Sequence, residues 1–431
     1  MKRPLLFAVL IVMMGMQSSC ITKNTLPESN LQQSTNLTIP LDDAIGHLDA
    51  FLNRNEYMTR GLKKSYRSIE VVSSGDVTRS NGESLPIVDS LLYLVNFEDD
   101  AGYAILSADR RIGTPILAVT EMGSISAQDF DLFSQNTTRF EGGTLGDGGD
   151  DLDDGGDDDL PNDFIVEFVN GQLGDGYNNG GLYEPPTNNG PTYWVAPLLT
   201  TIWGQKAPYN LKCPEENGKP TLAGCVAIAI GQMVAYFEAD CSQLENTYNW
   251  TIIKSVGKME DWRSIKDGTK LYTPIQQEQV ATLIREIGDM CCMNYDEDNS
   301  TTVPWKIDNC LNCFSFEYSD FYWGYDIDDI TNSLHRGYPV IISAGQMNFS
   351  GHTWVIDGYD SHYNPYGEEN RIVHCNWGWN GLCNGFYYTG VFDTRESAVI
   401  HDTDYGDIED VQDLLDNNYT WMFSSVFPDY R

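Results

Sequence analysis

The sequence is poor in positive charge. Lys and Arg total 26 against 63 Asp and Glu, a formal net charge of −37. Phosphate backbones repel so acidic a surface, which argues against sequence-independent nucleic-acid binding and passive adhesion to anionic lipid. Long apolar runs are also scarce. Only Leu5–Met16 stands out, and it is shorter than the ~20 residues a spanning helix needs. No internal repeat is visible. What is present is a core: 41% of the 431 residues are hydrophobic and 12% aromatic, which excludes wholesale disorder. At ~150 residues per domain, the length suits two or three domains.

Lys2 and Arg3, the apolar run and then Gln17, Ser18, Ser19 and Cys20 describe a secretory signal over residues 1–20. A cysteine directly after small residues resembles a bacterial lipoprotein signal, in which the Cys20 thiol is lipidated and anchors the chain to the membrane. Gln17 stands where Leu is usual. The chain is thus expected outside the cytoplasm, as an outer-membrane or cell-surface lipoprotein or in a form released after processing. An oxidising compartment permits disulfides. Without Cys20 and Cys225, eight cysteines are left, an even number whose pairing the sequence cannot assign. Cys310-x-x-Cys313 beside the adjacent Cys291-Cys292 departs from zinc-ribbon spacing, and no metal is expected.

Residues 21–40 are polar and read as a tether. Leu41, Ile45, Leu48 and Leu52 keep helical spacing. Tyr93–Phe97 and Tyr103–Ser107 flank an acidic turn ending in Gly102, a hairpin pattern, and Pro115–Val119 suits a further strand. Residues 41–136 are therefore expected to form a small α+β domain. Residues 137–190 follow as an acidic, Gly/Asp-rich linker. Its Asp spacing does not fit an EF-hand, so a solvated, protease-accessible tether is preferred to a calcium loop. Residues 191–431 are globular again and large enough for one enzyme domain.

Within that stretch, Val226, Ala229, Ile230, Met233 and Phe237 share one helical face, which places Gly224 and Cys225 at a helix start. Unpaired N–H groups and the positive end of the macrodipole favour thiolate there, although an arbitrary cysteine is more often structural. Gly351-His352 opens an alternating, strand-like run, and Arg371–Asn376 forms another. A hairpin centred near residue 364 would set His352 beside Asn376, the base half of a Cys-His-Asn site. His374 faces the same side as Asn376 and is the rival base. The Gln205 amide could donate to an oxyanion together with the Cys225 N–H.

Gly224-Cys225-Val226-Ala227 with Gln232, Met233 and Tyr236, then Gly351-His352 with Val355–Gly358, then Asn376-Trp377-Gly378-Trp379, resemble the streptopain-like cysteine peptidases (peptidase family C10). Val95–Tyr103 and Ser107–Arg110 are similar to that family's propeptide. The resemblance implies an α+β fold: a papain-like peptidase domain, its nucleophile helix packed on an antiparallel sheet, preceded by a small α+β propeptide domain. It implies Cys225 as nucleophile, His352 as general base and acid, and Asn376 as the group orienting His352. Trp377 would shield that contact and Gln205 would help form the oxyanion hole. Gly351 would line the cleft beside the substrate backbone. Met293-x-Tyr295 with Ser300 and Thr301 looks like a shortened, acidic version of the family's substrate loop. No cofactor is implied. Protein or peptide substrates are, with the chain's own propeptide as intramolecular inhibitor. Two other readings keep the fold: a catalytically silent surface lipoprotein that binds proteins, and a papain-like amidase or acyltransferase.

Overall fold

The computed structural model describes residues 38–54, 64–73, 90–110, 112, 114–127, 193–241, 248–314, 316–345, 351–363, 369–389, 392 and 421–430. The signal with Cys20, most of the tether and the acidic linker lie outside the described residues.

The spacing of Leu48 and Phe51 with Ala44 gives α1 (Leu41–Arg54) one buried face. That face packs on strands β1 (Tyr66–Val72), β2 (Leu92–Phe97), β3 (Tyr103–Ser107) and β4 (Ile116–Thr120). β2 and β3 form the hairpin expected around the acidic turn, with Leu92 opposite Ser107 and Asn96 opposite Tyr103. Every residue of β2, β3 and β4 is buried, so both faces of these strands are covered.

Further along lie β5 (Tyr193–Val195) and a small hairpin, β6 (Glu215–Glu216) and β7 (Lys219–Pro220). Then come the helices α2 (Cys225–Phe237), α3 (Pro274–Met290) and α4 (Trp305–Leu311), with three short helical segments between α2 and α3. α3 starts where Thr273, Pro274 and Gln276 say it should. The Thr273 hydroxyl and Gln276 side chain form a reciprocal capping box, and proline occupies the first helical position. β8 (Phe316–Trp323), α5 (Ile327–His335), β9 (Val340–Gly345), β10 (Gly351–Tyr363), β11 (Glu369–Asn376), β12 (Gly385–Tyr388) and β13 (Trp421–Tyr430) complete the order.

One sheet of eleven strands runs through the chain in the order β1-β2-β3-β4-β12-β11-β10-β9-β13-β8, with β5 paired to β10. Among the described residues its ladders are antiparallel, and α2 packs against it in a core shared with Ile341, Val355 and Val426. This is the α+β class expected, with the Cys225 helix on an antiparallel sheet. The early and late parts of the chain meet inside the sheet, where Phe386 of β12 lies opposite Val119 of β4. Among the described residues, no helix is long and apolar enough to cross a membrane.

Candidate active site

Cys225 is the first residue of α2, and Gly224 before it has φ 88°. That backbone conformation suits glycine, and the space beside it is tight. A Cβ on Gly224 would come within 2.7 Å of Met293 Cε and 3.2 Å of the Ser300 carbonyl oxygen. The nucleophile candidate therefore stands where the 293–301 loop closes on the helix start. Ala223 N–H donates to the Gln205 carbonyl at 2.9 Å, which ties Gln205 to the same entry.

The half-buried Cys225 thiol is pushed up from its ordinary value by burial. Hydrogen bonds from the Thr353 N–H and hydroxyl, the Val226 N–H and its own N–H pull it back. Thr353, one of those groups, directly follows His352. The imidazole is 7% exposed, stacks on Trp377 and lies 4.5 Å from the Trp379 ring by centroids. Burial lowers His352 to about 4, and a 2.7 Å bond to the Trp377 carbonyl opposes the shift. A carbonyl only accepts, so Nε2 carries the proton and Nδ1 is the basic nitrogen. In this packing both groups favour their neutral forms.

The hairpin register differs from the sequence expectation. Asn376 lies opposite Val355, not His352, and the ladder slips between Ile356 and Gly358. The hairpin closes at Tyr363 opposite Glu369, later than assumed, and Asp357 is the extra residue on β10. The Asn376 amide accordingly serves other partners. Nδ2 donates to the Thr201 carbonyl at 2.8 Å, and Oδ1 accepts from Gln232 Nε2 at 3.1 Å. Gln232 Oε1 in turn accepts from the Thr201 hydroxyl and Trp203 N–H. This buried network pins α2, β11 and the segment leading to Gln205 together. In the sequence Gln232 is only one position of the motif after Cys225; its place on the apolar helix is the signal of its burial. Trp377 is fully buried, and its carbonyl is the group that meets the histidine ring.

Gly351 is exposed at the start of β10, opposite Gly345. Ser300 is buried and its hydroxyl donates to the Leu222 carbonyl at 2.7 Å, so this side chain holds the loop to the helix approach. Thr301 is exposed and pairs through its backbone with Asn294. Gly351 and Thr301 are thus on the surface, whereas the Ser300 hydroxyl is engaged within the protein.

His374, the rival base, is fully buried and forms part of a charge cluster. Its Nδ1 is 2.5 Å from Asp357 Oδ1 and its Nε2 is 3.5 Å from Glu121 Oε1. Burial alone would lower its pKa. The charge and hydrogen bond of Asp357, then those of Glu121, reverse that and raise it to about 9. A group held protonated between two carboxylates is a poor general base. A cavity of about 650 Å³, lined partly by Leu199, Lys258 and Trp262, touches none of the candidate catalytic residues. Among the described residues, no group of three His, Cys, Asp or Glu is arranged to hold a metal ion.

Cys225 heads the helix α2, and His352 is the second residue of the antiparallel strand β10 that packs on it, the placement a nucleophile on a helix and a base on a strand require. Residues 203–387 match the model of the Peptidase C10 family. The thiol protease/hemagglutinin PrtT of Porphyromonas gingivalis is 25% identical over 233 residues, covering 47% of this chain and 25% of that protein. Streptopain of Streptococcus pyogenes is 23% identical over 221 residues, covering 43% of this chain and 52% of that protein. The chain thus spans about half or less of these relatives' lengths. Among solved structures, active interpain A cysteine protease of Prevotella intermedia is 23% identical. It covers 55% of this chain and 96% of its own, with a TM-score of 0.40. A prointerpain A fragment from the same organism is 18% identical, covers 84% and 99%, and has a TM-score of 0.47.

Proposed function

We propose that this chain is a cysteine endopeptidase made as an exported precursor. The observation that carries the reading is that one family match contains Gln205, Cys225, His352, Asn376 and Trp377, with Cys225 at the head of α2 and His352 near the start of β10, a strand that packs on that helix.

The Cys225 thiolate attacks the scissile carbonyl of a protein or peptide substrate. His352 takes the thiol proton on Nδ1 and returns it to the leaving amine. Water then releases the acyl group. The Cys225 N–H and the Gln205 amide hold the oxyanion. The Trp377 carbonyl stabilises the imidazolium, and the Asn376–Gln232 network keeps that carbonyl in place. Gly351 and Thr301 flank the substrate backbone, with Ser300 supporting the loop.

Residues 41–136 act as the inhibitory propeptide. Their grip on the peptidase domain runs through β4–β12 pairing, the Glu121–His374 contact and Met122, which packs with Ile202. His374 and Asn376 share β11, so this grip reaches the strand that leads to Trp377. Cutting within residues 137–190 frees the domain. The N-terminal signal supports export with a lipid on Cys20.

A peptide-library cleavage assay tests the reading. Wild type should hydrolyse peptides, a thiol alkylator or Cys225→Ala should abolish this, and removal of residues 21–185 after folding should raise turnover. Full activity of Cys225→Ala would contradict the nucleophile assignment, and unchanged turnover after removal would contradict inhibition. A lipid mass on the Cys20 peptide tests the anchor.

A further inference from the structure

The short stretch Trp203–Gln205 is fixed from several directions. The Trp203 N–H donates to Gln232 Oε1 at 3.1 Å, and its indole N–H donates to the Val256 carbonyl at 2.8 Å. The Gln205 carbonyl accepts from the Ala223 N–H at 2.9 Å, and the Trp203 carbonyl accepts from the Asn380 N–H at 3.0 Å. Gln232 lies in α2 and Ala223 just before it, whereas Asn380 lies in the turn between β11 and β12.

That turn also serves the base. Its Trp377 carbonyl meets His352 Nε2 at 2.7 Å, and its Trp379 ring lies 4.5 Å from the imidazole by centroids. The turn coils through left-handed backbone: Gly378, Asn380 and Gly381 have φ 76°, 56° and 87°. Asparagine tolerates this region, but glycine fits it better. What asparagine adds at 380 is a side chain, and that side chain lies against Gly204. A Cβ on Gly204 would come within 2.5 Å of Asn380 Oδ1, 2.6 Å of its Cγ and 2.7 Å of its Nδ2. Gly204 leaves room for the amide, and the next residue is Gln205.

We propose that Asn380 is a positioning residue, which holds the Trp203–Gly204 backbone so that the Gln205 amide is aimed at the oxyanion. Its N–H fixes one carbonyl and its side chain packs on the neighbouring α-carbon. One turn thereby carries the groups that meet His352 and sets the place of the oxyanion donor, so base and donor keep a constant relation to each other. An oxyanion donor acts through its exact placement, and a small displacement forfeits much of its effect.

The proposal rests on the peptidase reading, and kinetics on chain freed of residues 21–185 after folding separate the two. Asn380→Gly keeps the backbone N–H and suits φ 56°, so it removes the amide and little else. It should lower kcat about tenfold with KM nearly unchanged, because a misplaced donor costs transition-state stabilisation alone. Its urea midpoint should stay close to that of wild type. Gln205→Ala should lower kcat about 100-fold. In the Gln205→Ala chain, Asn380→Gly should cost nothing further, because its effect runs through the missing amide.

Three results would overturn the proposal while an active wild type left the peptidase reading standing. They are an unchanged kcat in Asn380→Gly, losses that multiply in the double variant, and a shifted acid limb of the kcat/KM pH profile, which would mean that Asn380 acts on His352. A wild-type chain that cleaves no peptide would overturn the peptidase reading and this proposal with it.

Discussion

The His352 Nε2 lies 2.7 Å from the Trp377 carbonyl oxygen, one residue beyond the asparagine expected to orient it. A backbone acceptor does what a side-chain amide would do: it fixes the tautomer and favours the charged ring. The Asn376 amide bonds to the Thr201 carbonyl and to Gln232 instead. Asn376→Ala orphans Gln232 Nε2 and the Thr201 carbonyl, and the loss of stability should be about 1–3 kcal/mol. Urea unfolding measures that loss. The acid limb of the kcat/KM pH profile should stay in place; a shifted limb with unchanged stability would mean that the amide acts on the ring.

His374 makes stability depend on pH. Its folded pKa, about 9, is above the ordinary value of 6.5. The folded state therefore holds its proton more tightly, and the stabilisation is fully present below pH ~6.5 and lost as pH rises through ~9. The size is on the order of 3 kcal/mol. Urea midpoints from pH 6 to pH 10 should fall across this window in the full chain, and His374→Gln should flatten that fall while lowering stability at pH 7.

Glu121 belongs to the N-terminal part of the chain and His374 to the C-terminal part, so their contact couples the two. Glu121→Gln keeps the shape but removes one of the two charges that hold the His374 proton. The pH-dependent fall should still begin near pH ~6.5 but be smaller and end at lower pH, and stability at pH 7 should drop by about 1–3 kcal/mol. If residues 41–136 inhibit the enzyme, the same variant should be cut between the halves and activated faster than wild type. Time courses on gels would show this.

Gly224→Ala tests the packing at the nucleophile. The added methyl meets the flexible end of Met293, but φ 88° is unfavourable for alanine. The backbone cost should be about 1–2 kcal/mol. Because the strain falls on the residue before Cys225, kcat should drop by more than KM changes. Unchanged kcat would mean that the 293–301 loop does not set the position of the thiol.

Much of this arrangement is legible in the residues, and the illegible parts share one cause. The 225–237 helix, the 92–107 hairpin and the β10 and β11 strands follow from local periodicity and turn chemistry, which neighbouring residues carry. The β4–β12 pairing that joins the N-terminal strands to the late ones brings together segments more than 250 residues apart, and no local pattern encodes it. The register at His352 failed for a subtler reason. One extra residue at Asp357 and a later turn moved Asn376 to a position opposite Val355, and symmetry about a guessed turn cannot detect a bulge. His374 read as a rival base because alternation gives a side chain's face but not its partners. Asp357 and Glu121 settled its role by charge, and Glu121 comes from a distant strand end.

The central claim is that Cys225 is the sulfur that attacks the substrate. A peptide carrying a thiol-reactive electrophile in place of its scissile bond, incubated with chain freed of residues 21–185 and then mapped by mass spectrometry, tests it most directly. The label should sit on Cys225 at one per chain and be lost in His352→Ala. A label on another cysteine, or labelling of Cys225 that is indifferent to His352, would contradict the account.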